Sequence, residues 1–272
     1  MQRTEDIAFA DLDWCGRPVR IEHQWLRPGR TDRPLVVFLH EGLGSVSMWR
    51  DFPRAFCAAA DLRGLVWSRP GYGRSTPRAP DERWAPDYLH RQAREVLPAL
   101  LRALDVDAPP WLFGHSDGGS IALIFAASFP GAVAGLVVAA PHIVVEEFGL
   151  ASIRAARDAY ASTPLRERLA RHHADVDSAF RGWNDIWLDP AFAAFFDLAD
   201  LLPRIVCPVL AVQGLDDEYG TLEQVHGIAR RVPRTVLLEL ADCGHSPHRD
   251  QPARLIAEAA RFVQACESSA PG

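Results

Sequence analysis

The chain has 272 residues, enough for one large domain or for a core domain carrying an insertion, and with 48% hydrophobic and 24% charged residues it can bury a sizeable core. A formal net charge of -6 leaves no basic excess to neutralise phosphates, which excludes a general nucleic-acid binder. No apolar stretch is long enough to span a bilayer, and the acidic start (Glu5, Asp6, Asp11, Asp13) lacks the basic and apolar regions of a secretory signal, so a cytoplasmic protein with no membrane partner is expected.

Residues 19–25 read as an early strand and 28–32, Pro-Gly-Arg-Thr-Asp, as a turn. The continuous apolar run 35–39 ends at His40-Glu41-Gly42-Leu43-Gly44 and suits a strand buried on both faces. Residues 64–68 repeat that unit and end in Arg69-Pro70-Gly71-Tyr72-Gly73. The stretch 87–104 sets Leu89, Ala93, Val96, Leu97, Leu100, Leu101 and Leu104 at helical spacing. A strand over 111–113, a helix over 119–128 and a strand over 136–140 follow. Residues 142–202 offer no good strand. They carry charged helical patterns over 153–160 and 165–173 and the aromatics Phe180, Trp183, Trp187, Phe192, Phe195 and Phe196. Strands resume at 209–212 and 236–240, a helix over 252–266 closes the chain, and 268–272 read as a frayed tail.

Strands alternating with helices predict an α/β fold, a mostly parallel sheet flanked by helices. Residues 1–141 and 203–272 form its core domain, and 142–202 are a helical cap. The cap is expected over a site, because the insertion begins where a strand ends and sites in parallel sheets lie beyond the carboxyl ends of strands. The five cysteines are scattered, form no CxxC and are expected to be unpaired, with no structural zinc.

Chemistry concentrates at Ser116, in Gly114-His115-Ser116-Asp117-Gly118, a G-x-S-x-G between a strand and a helix. A serine on such a turn is pushed out at the sheet edge, and the backbone N–H of Asp117, at the helix N-terminus, is placed to meet a developing oxyanion. A serine hydroxyl needs a base. Among ten histidines, His245 follows the last strand in Asp242-Cys243-Gly244-His245, with His248 as its rival. The base needs an orienting carboxylate, and Asp216, Asp217 and Glu218 compete for that place after the strand at 209–212.

With these motifs in this order, the chain resembles the α/β-hydrolase superfamily over nearly its whole length. The resemblance selects Asp217 as the orienting acid and implies the N–H of Gly42 as the second oxyanion donor beside that of Asp117. His40 is read as structural. Glu41 departs from the glycine common at its position, and an acid there should repel an anionic group. The implied enzyme is a serine hydrolase that cleaves a small hydrophobic or aromatic carboxylic ester through an acyl-enzyme, with Ser116, Asp217 and His245 catalytic and no cofactor or metal. Trp49, His142, Phe148, Trp183, Trp187 and Tyr219 are the expected pocket wall, and a small molecule is the expected partner. Carbon–carbon bond hydrolysis of ring-cleavage products, lactone or thioester hydrolysis, and a silent binding protein on the same fold are the alternatives.

Overall fold

Alternation, rather than a continuous apolar run, builds the first strand. In the computed structural model, which describes residues 5–79 and 81–268, β1 (Ile7–Trp14) turns Ala10, Leu12 and Trp14 inward and Asp11 and Asp13 outward. The acids that dominate the composition of this stretch are its solvent face. Cys15 and Gly16, both at positive φ, form the two-residue turn into β2 (Arg17–Leu26).

The remaining strands are β3 (Leu35–Leu39), β4 (Arg63–Trp67), β5 (Trp111–His115), β6 (Gly135–Ala139), β7 (Val209–Gly214) and β8 (Thr235–Leu240). They lie in one sheet in the order β1-β2-β4-β3-β5-β6-β7-β8. β2 runs antiparallel to both of its neighbours, and β3 to β8 are mutually parallel. β3, β5, β6 and β7 are buried along their length, as a doubly covered parallel sheet requires, whereas β8 exposes Val236 and Leu237 at the edge.

Period-two side-chain alternation divides the core into two layers. Val36 and Phe38 of β3 face a layer containing Phe56 and Cys57 of the helix Phe52–Ala59 and Leu255, Ala259 and Val263 of the helix Pro252–Ser268. Leu35, Val37 and Leu39 face the opposite layer, with Leu89, Val96 and Leu100, Ile121 and Ile124 of the helix Asp117–Ser128, and Val225 and Ile228 of the helix Glu223–Arg231. The expected helix over 87–104 runs in three pieces, Tyr88–Arg91, a π turn Gln92–Val96 and Leu97–Ala103. Pro98 lacks the N–H that an uninterrupted α-helix would use. The expected tail lies outside the described residues from 269 onward.

Between β6 and β7 the chain leaves the sheet for the helices Glu147–Ser162, Leu165–Leu169, Val176–Trp187 and Pro190–Phe195. Asp175 and Asp189 cap the last two with their side chains. The neck is closed by the bridge Val144–Asp197, reinforced by the Leu198 N–H donating to the Ile143 carbonyl at 2.8 Å. His173 fastens this segment to the sheet domain. It accepts from the Gly73 N–H through Nδ1 and donates from Nε2 to the Leu43 carbonyl, both at 3.0 Å.

Candidate active site

Ser116 stands between β5 and the helix Asp117–Ser128 with φ 52 and ψ -119, a strained conformation for a residue with a side chain. Two glycines permit the turn. A Cβ at Gly118 would overlap the Leu39 and His40 carbonyls, and one at Gly114 would overlap the backbone of Gly118 and Gly119.

β7 and β8 end on the same edge of the sheet and carry Asp217 and His245 in the loops that follow them. His245 Nε2 is 2.9 Å from Ser116 Oγ, and its Nδ1 is 2.9 and 3.0 Å from the two Asp217 oxygens. Asp217 also accepts from Gln213 Nε2 at 2.6 Å and from the Tyr219 N–H at 2.8 Å. Burial opposes its ionisation, but the His245 hydrogen bond and charge and the Tyr219 N–H outweigh burial and hold its carboxyl below the ordinary range. The competing groups are elsewhere. Asp216 is exposed, and Glu218 accepts the His245 backbone N–H at 3.2 Å. His248 is buried against Trp49, Phe52 and His115, and burial pushes its pKa down to about 2.

Asp117 is itself a hub. Its carboxylate accepts from Tyr88 Oη at 2.8 Å and from Trp187 Nε1 at 3.0 Å, and it lies 3.4 Å from Nη2 of Arg69. Side-chain exposure is 0% for Arg69 and 1% for Asp117, so this is a fully buried ion pair. The loop after β3 meets the same guanidinium, because the Glu41 carbonyl accepts from Arg69 Nη2 at 2.9 Å, from His40 Nδ1 at 2.6 Å and from the Gly44 N–H at 3.0 Å. Among the described residues, neither the Gly42 N–H nor the Asp117 N–H is engaged in a hydrogen bond.

A cavity of about 260 Å³ opens above Ser116. His142, Trp183, Trp187 and Tyr219 line it, together with Leu43, Met48, Ile153 and Leu169. Trp183 packs directly over Gly42, where any side chain would collide with the indole. Two expected wall residues are not there. Trp49, 2% exposed, lies in the opposite core layer between Phe38, Phe52 and Phe113, because the turn it ends packs under the sheet edge. Phe148, 53% exposed, sits in the first turn of its helix and faces solvent.

Sequence reasoning named Glu41 as a departure and His142 as a wall residue, but not the partners Arg249 and His115 that meet Glu41. Glu41, in the place where glycine is common, turns its carboxylate toward Arg249 Nη2 at 3.2 Å and His115 Nδ1 at 3.5 Å. Burial opposes its charge, but the His115 contact and the Arg249 charge prevail and keep the carboxyl well below the ordinary range. His115 Nε2 donates to the His245 backbone carbonyl at 2.7 Å, tying the elbow to the loop that carries the imidazole. His142 is held neutral, its pKa pushed down to about 3 by burial and then by the neighbouring His245. An arginine, an extra acid and a histidine inside otherwise buried glycine loops were the available signals.

All five cysteines are unpaired, and burial pushes the Cys57 thiol up to about 12. Among the described residues, no group of three or more His, Cys, Asp or Glu is arranged to hold a metal ion, and no helix is long and apolar enough to cross a membrane.

Comparison with known proteins fits this architecture. The chain is 30% identical over 161 residues to the serine hydrolase BPHL of Homo sapiens, an alignment that covers 56% of the chain and only about half (53%) of that relative. It is 25% identical over 270 residues to the 2-succinyl-6-hydroxy-2,4-cyclohexadiene-1-carboxylate synthase of Escherichia coli O1:K1 / APEC, covering 90% of the chain and 99% of the synthase. The esterase RhEst1 from Rhodococcus sp. ECU1013 superposes with a TM-score of 0.71 at 20% identity, covering 96% of this chain and 99% of that one. The model of the alpha/beta hydrolase family matches residues 36–259, and the chain therefore belongs to the alpha/beta hydrolase family.

Proposed function

We propose that this protein is a serine hydrolase that cleaves small, hydrophobic or aromatic carboxylic esters through an acyl-enzyme. The observation that carries this reading is the hydrogen-bonded line Ser116–His245–Asp217 at the floor of a largely apolar cavity. His245 takes the Ser116 proton as Oγ attacks the ester carbonyl, and Asp217 orients the imidazole and stabilises its charged form. The N–H groups of Gly42 and Asp117 receive the tetrahedral oxyanion. His245 then returns the proton to the leaving alcohol, and water activated by the same imidazole attacks the acyl-enzyme and frees the acid and Ser116. The segment 142–202 acts as the cap that supplies the apolar wall through Ile153, Leu169, Trp183 and Trp187.

A second reading comes from the full-length alignment with the synthase, whose product name includes a carboxylate. The charged wall argues against an acidic substrate of that kind. Two of its charged side chains are Glu41 and Glu218, and Arg249 is already paired with Glu41. Neutral esters fit this electrostatic setting better.

The test is labelling by a fluorophosphonate probe together with turnover of p-nitrophenyl esters. Wild type is expected to label and turn over, and Ser116→Ala to do neither. Folded wild-type protein that does not label would sink the serine-hydrolase reading. Preference for acyl-CoA thioesters or vinylogous diketones over aryl esters would replace the substrate class and keep the nucleophile.

A further inference from the structure

We infer that Arg69, which touches neither Ser116 nor His245, is a positioning residue that aims the Gly42 oxyanion donor. This rests on the serine-hydrolase reading above. A trans peptide is planar and its C=O and N–H point in opposite directions, so whatever fixes the Glu41 carbonyl also fixes the N–H of Gly42. That carbonyl is gripped by Arg69 Nη2 at 2.9 Å and by His40 Nδ1 at 2.6 Å. Arg69 acts on this peptide twice. Its backbone N–H donates to His40 Nε2 at 3.0 Å, which leaves the imidazole proton on Nδ1, where it can bind the carbonyl. His40 is fully buried, and burial, followed by the Arg69 charge, holds it neutral well below the ordinary histidine range, so this tautomer persists in acid.

The same Nη2 lies 3.4 Å from the Asp117 carboxylate, whose own backbone N–H is the second donor. One nitrogen thus joins the Gly42 peptide to the side chain of the residue that carries the second donor, while the Ser116–Asp117 peptide itself is held by the Ser120 N–H donating to the Ser116 carbonyl at 3.0 Å. The Tyr72 ring, 4.6 Å from the guanidinium carbon, supports it from one side, and Tyr88 and Trp187 hold the carboxylate from others. A cation bonded to the Glu41 carbonyl also polarises that peptide and strengthens its N–H as a donor, an effect that low local dielectric preserves.

Arg69→Met removes the clamp, and Arg69→Lys keeps the charge while losing the planar guanidinium that sets Nη2 between both acceptors. Deleting one oxyanion donor costs about a hundredfold to a thousandfold in kcat, and a donor that is misaimed rather than deleted is expected to cost about tenfold to a hundredfold in Arg69→Met, with a smaller loss in Arg69→Lys. KM should stay near wild type, and an aryl boronic acid that mimics the tetrahedral state should lose affinity by the same factor as kcat/KM. Rates are normalised to active sites counted by exhaustive fluorophosphonate labelling, so partial misfolding does not imitate the effect. The acid midpoint of kcat/KM should not move, because the Ser116–His245–Asp217 contacts are untouched. Wild-type kcat and boronate affinity in folded Arg69→Lys or Arg69→Met overturn the inference, as does a shifted acid midpoint with boronate affinity intact. Failure of Arg69→Met to fold leaves Arg69→Lys to decide. Absence of Ser116-dependent turnover in wild type would instead defeat the serine-hydrolase reading itself.

Discussion

Single side chains separate the roles that composition left open. Three acids stand in a row after β7, but Asp217 alone touches His245 Nδ1, while Asp216 faces solvent. Asp217→Asn is expected to lower kcat by about 10⁴ by misplacing the imidazole tautomer, and Asp216→Asn to stay near wild type, measured as p-nitrophenyl ester turnover. The acid limb of kcat/KM is expected to have unit slope. His142 and His248, pushed down to about 3 and about 2, are already neutral, and Asp217 and Glu41 are held below the ordinary carboxylate range and stay ionised. Protonation of His245 disables the proposed base, so activity is expected at neutral pH and is lost as pH falls. A slope of two between about pH 5 and about pH 8 would implicate a second group. The line of Ser116, His245 and Asp217 was legible because each follows a strand on one edge of a parallel sheet, where motif order fixes proximity. Trp49 and Phe148 were misassigned because aromatic content does not say which face of a turn or helix meets the cavity. Arg69, Glu41 and His115 were visible as letters, but their partners are dictated by loop geometry that spacing does not encode.

At the scale of elements, the elbow is held by close backbone packing between β3, β5 and the helix Asp117–Ser128. Gly118→Ala would drive a Cβ into the Leu39 and His40 carbonyls, which cannot yield as a flexible side chain would. It is expected to destabilise the fold by about 3 kcal/mol or more and to abolish fluorophosphonate labelling, read from urea melts and gel labelling. A surface substitution such as Glu258→Ala on the helix Pro252–Ser268 should change stability by less than about 0.5 kcal/mol and serves as the control. The central strands were readable as continuous apolar runs and the helices over 87–104 and 252–266 as 3.6-residue periods, whereas Phe52–Ala59 and Glu223–Arg231 were not read from the sequence. Nor was β1, because its alternating acids register as charge unless the intervening Ala10, Leu12 and Trp14 are counted as one face. The π turn after Tyr88–Arg91 was equally hidden, since Pro98 interrupts a helix whose apolar period continues past it.

For the whole molecule, buried neutral histidines set an acid limit on stability. Burial lowers His90 and His173 to about 4, His142 to about 3 and His248 to about 2, from an ordinary value of 6.5. Below that value the unfolded chain binds protons that the folded chain refuses, so stability is full above pH 6.5 and declines as pH falls toward about 4. The melting temperature at about pH 5 is expected to lie several degrees below that at about pH 7. His173→Gln should flatten the decline in part, because a neutral amide has no proton to gain. An unchanged melting temperature across this range would mean that these imidazoles are not buried neutral. The bridge between Val144 and Asp197 has a different consequence. A segment that leaves and rejoins neighbouring strands through a closed neck is a cassette, which evolution or an engineer can exchange without re-threading the sheet. The Trp187 indole to Asp117 and the His173 ring to Gly73 and Leu43 are among the seams that any transplant would have to resew, with the His172 ring to Ser47, the Ala174 N–H to Gly73 and Glu146 to Thr221. A graft that matches the neck and omits these seams should fold and yet leave Ser116 beneath an unmoored roof.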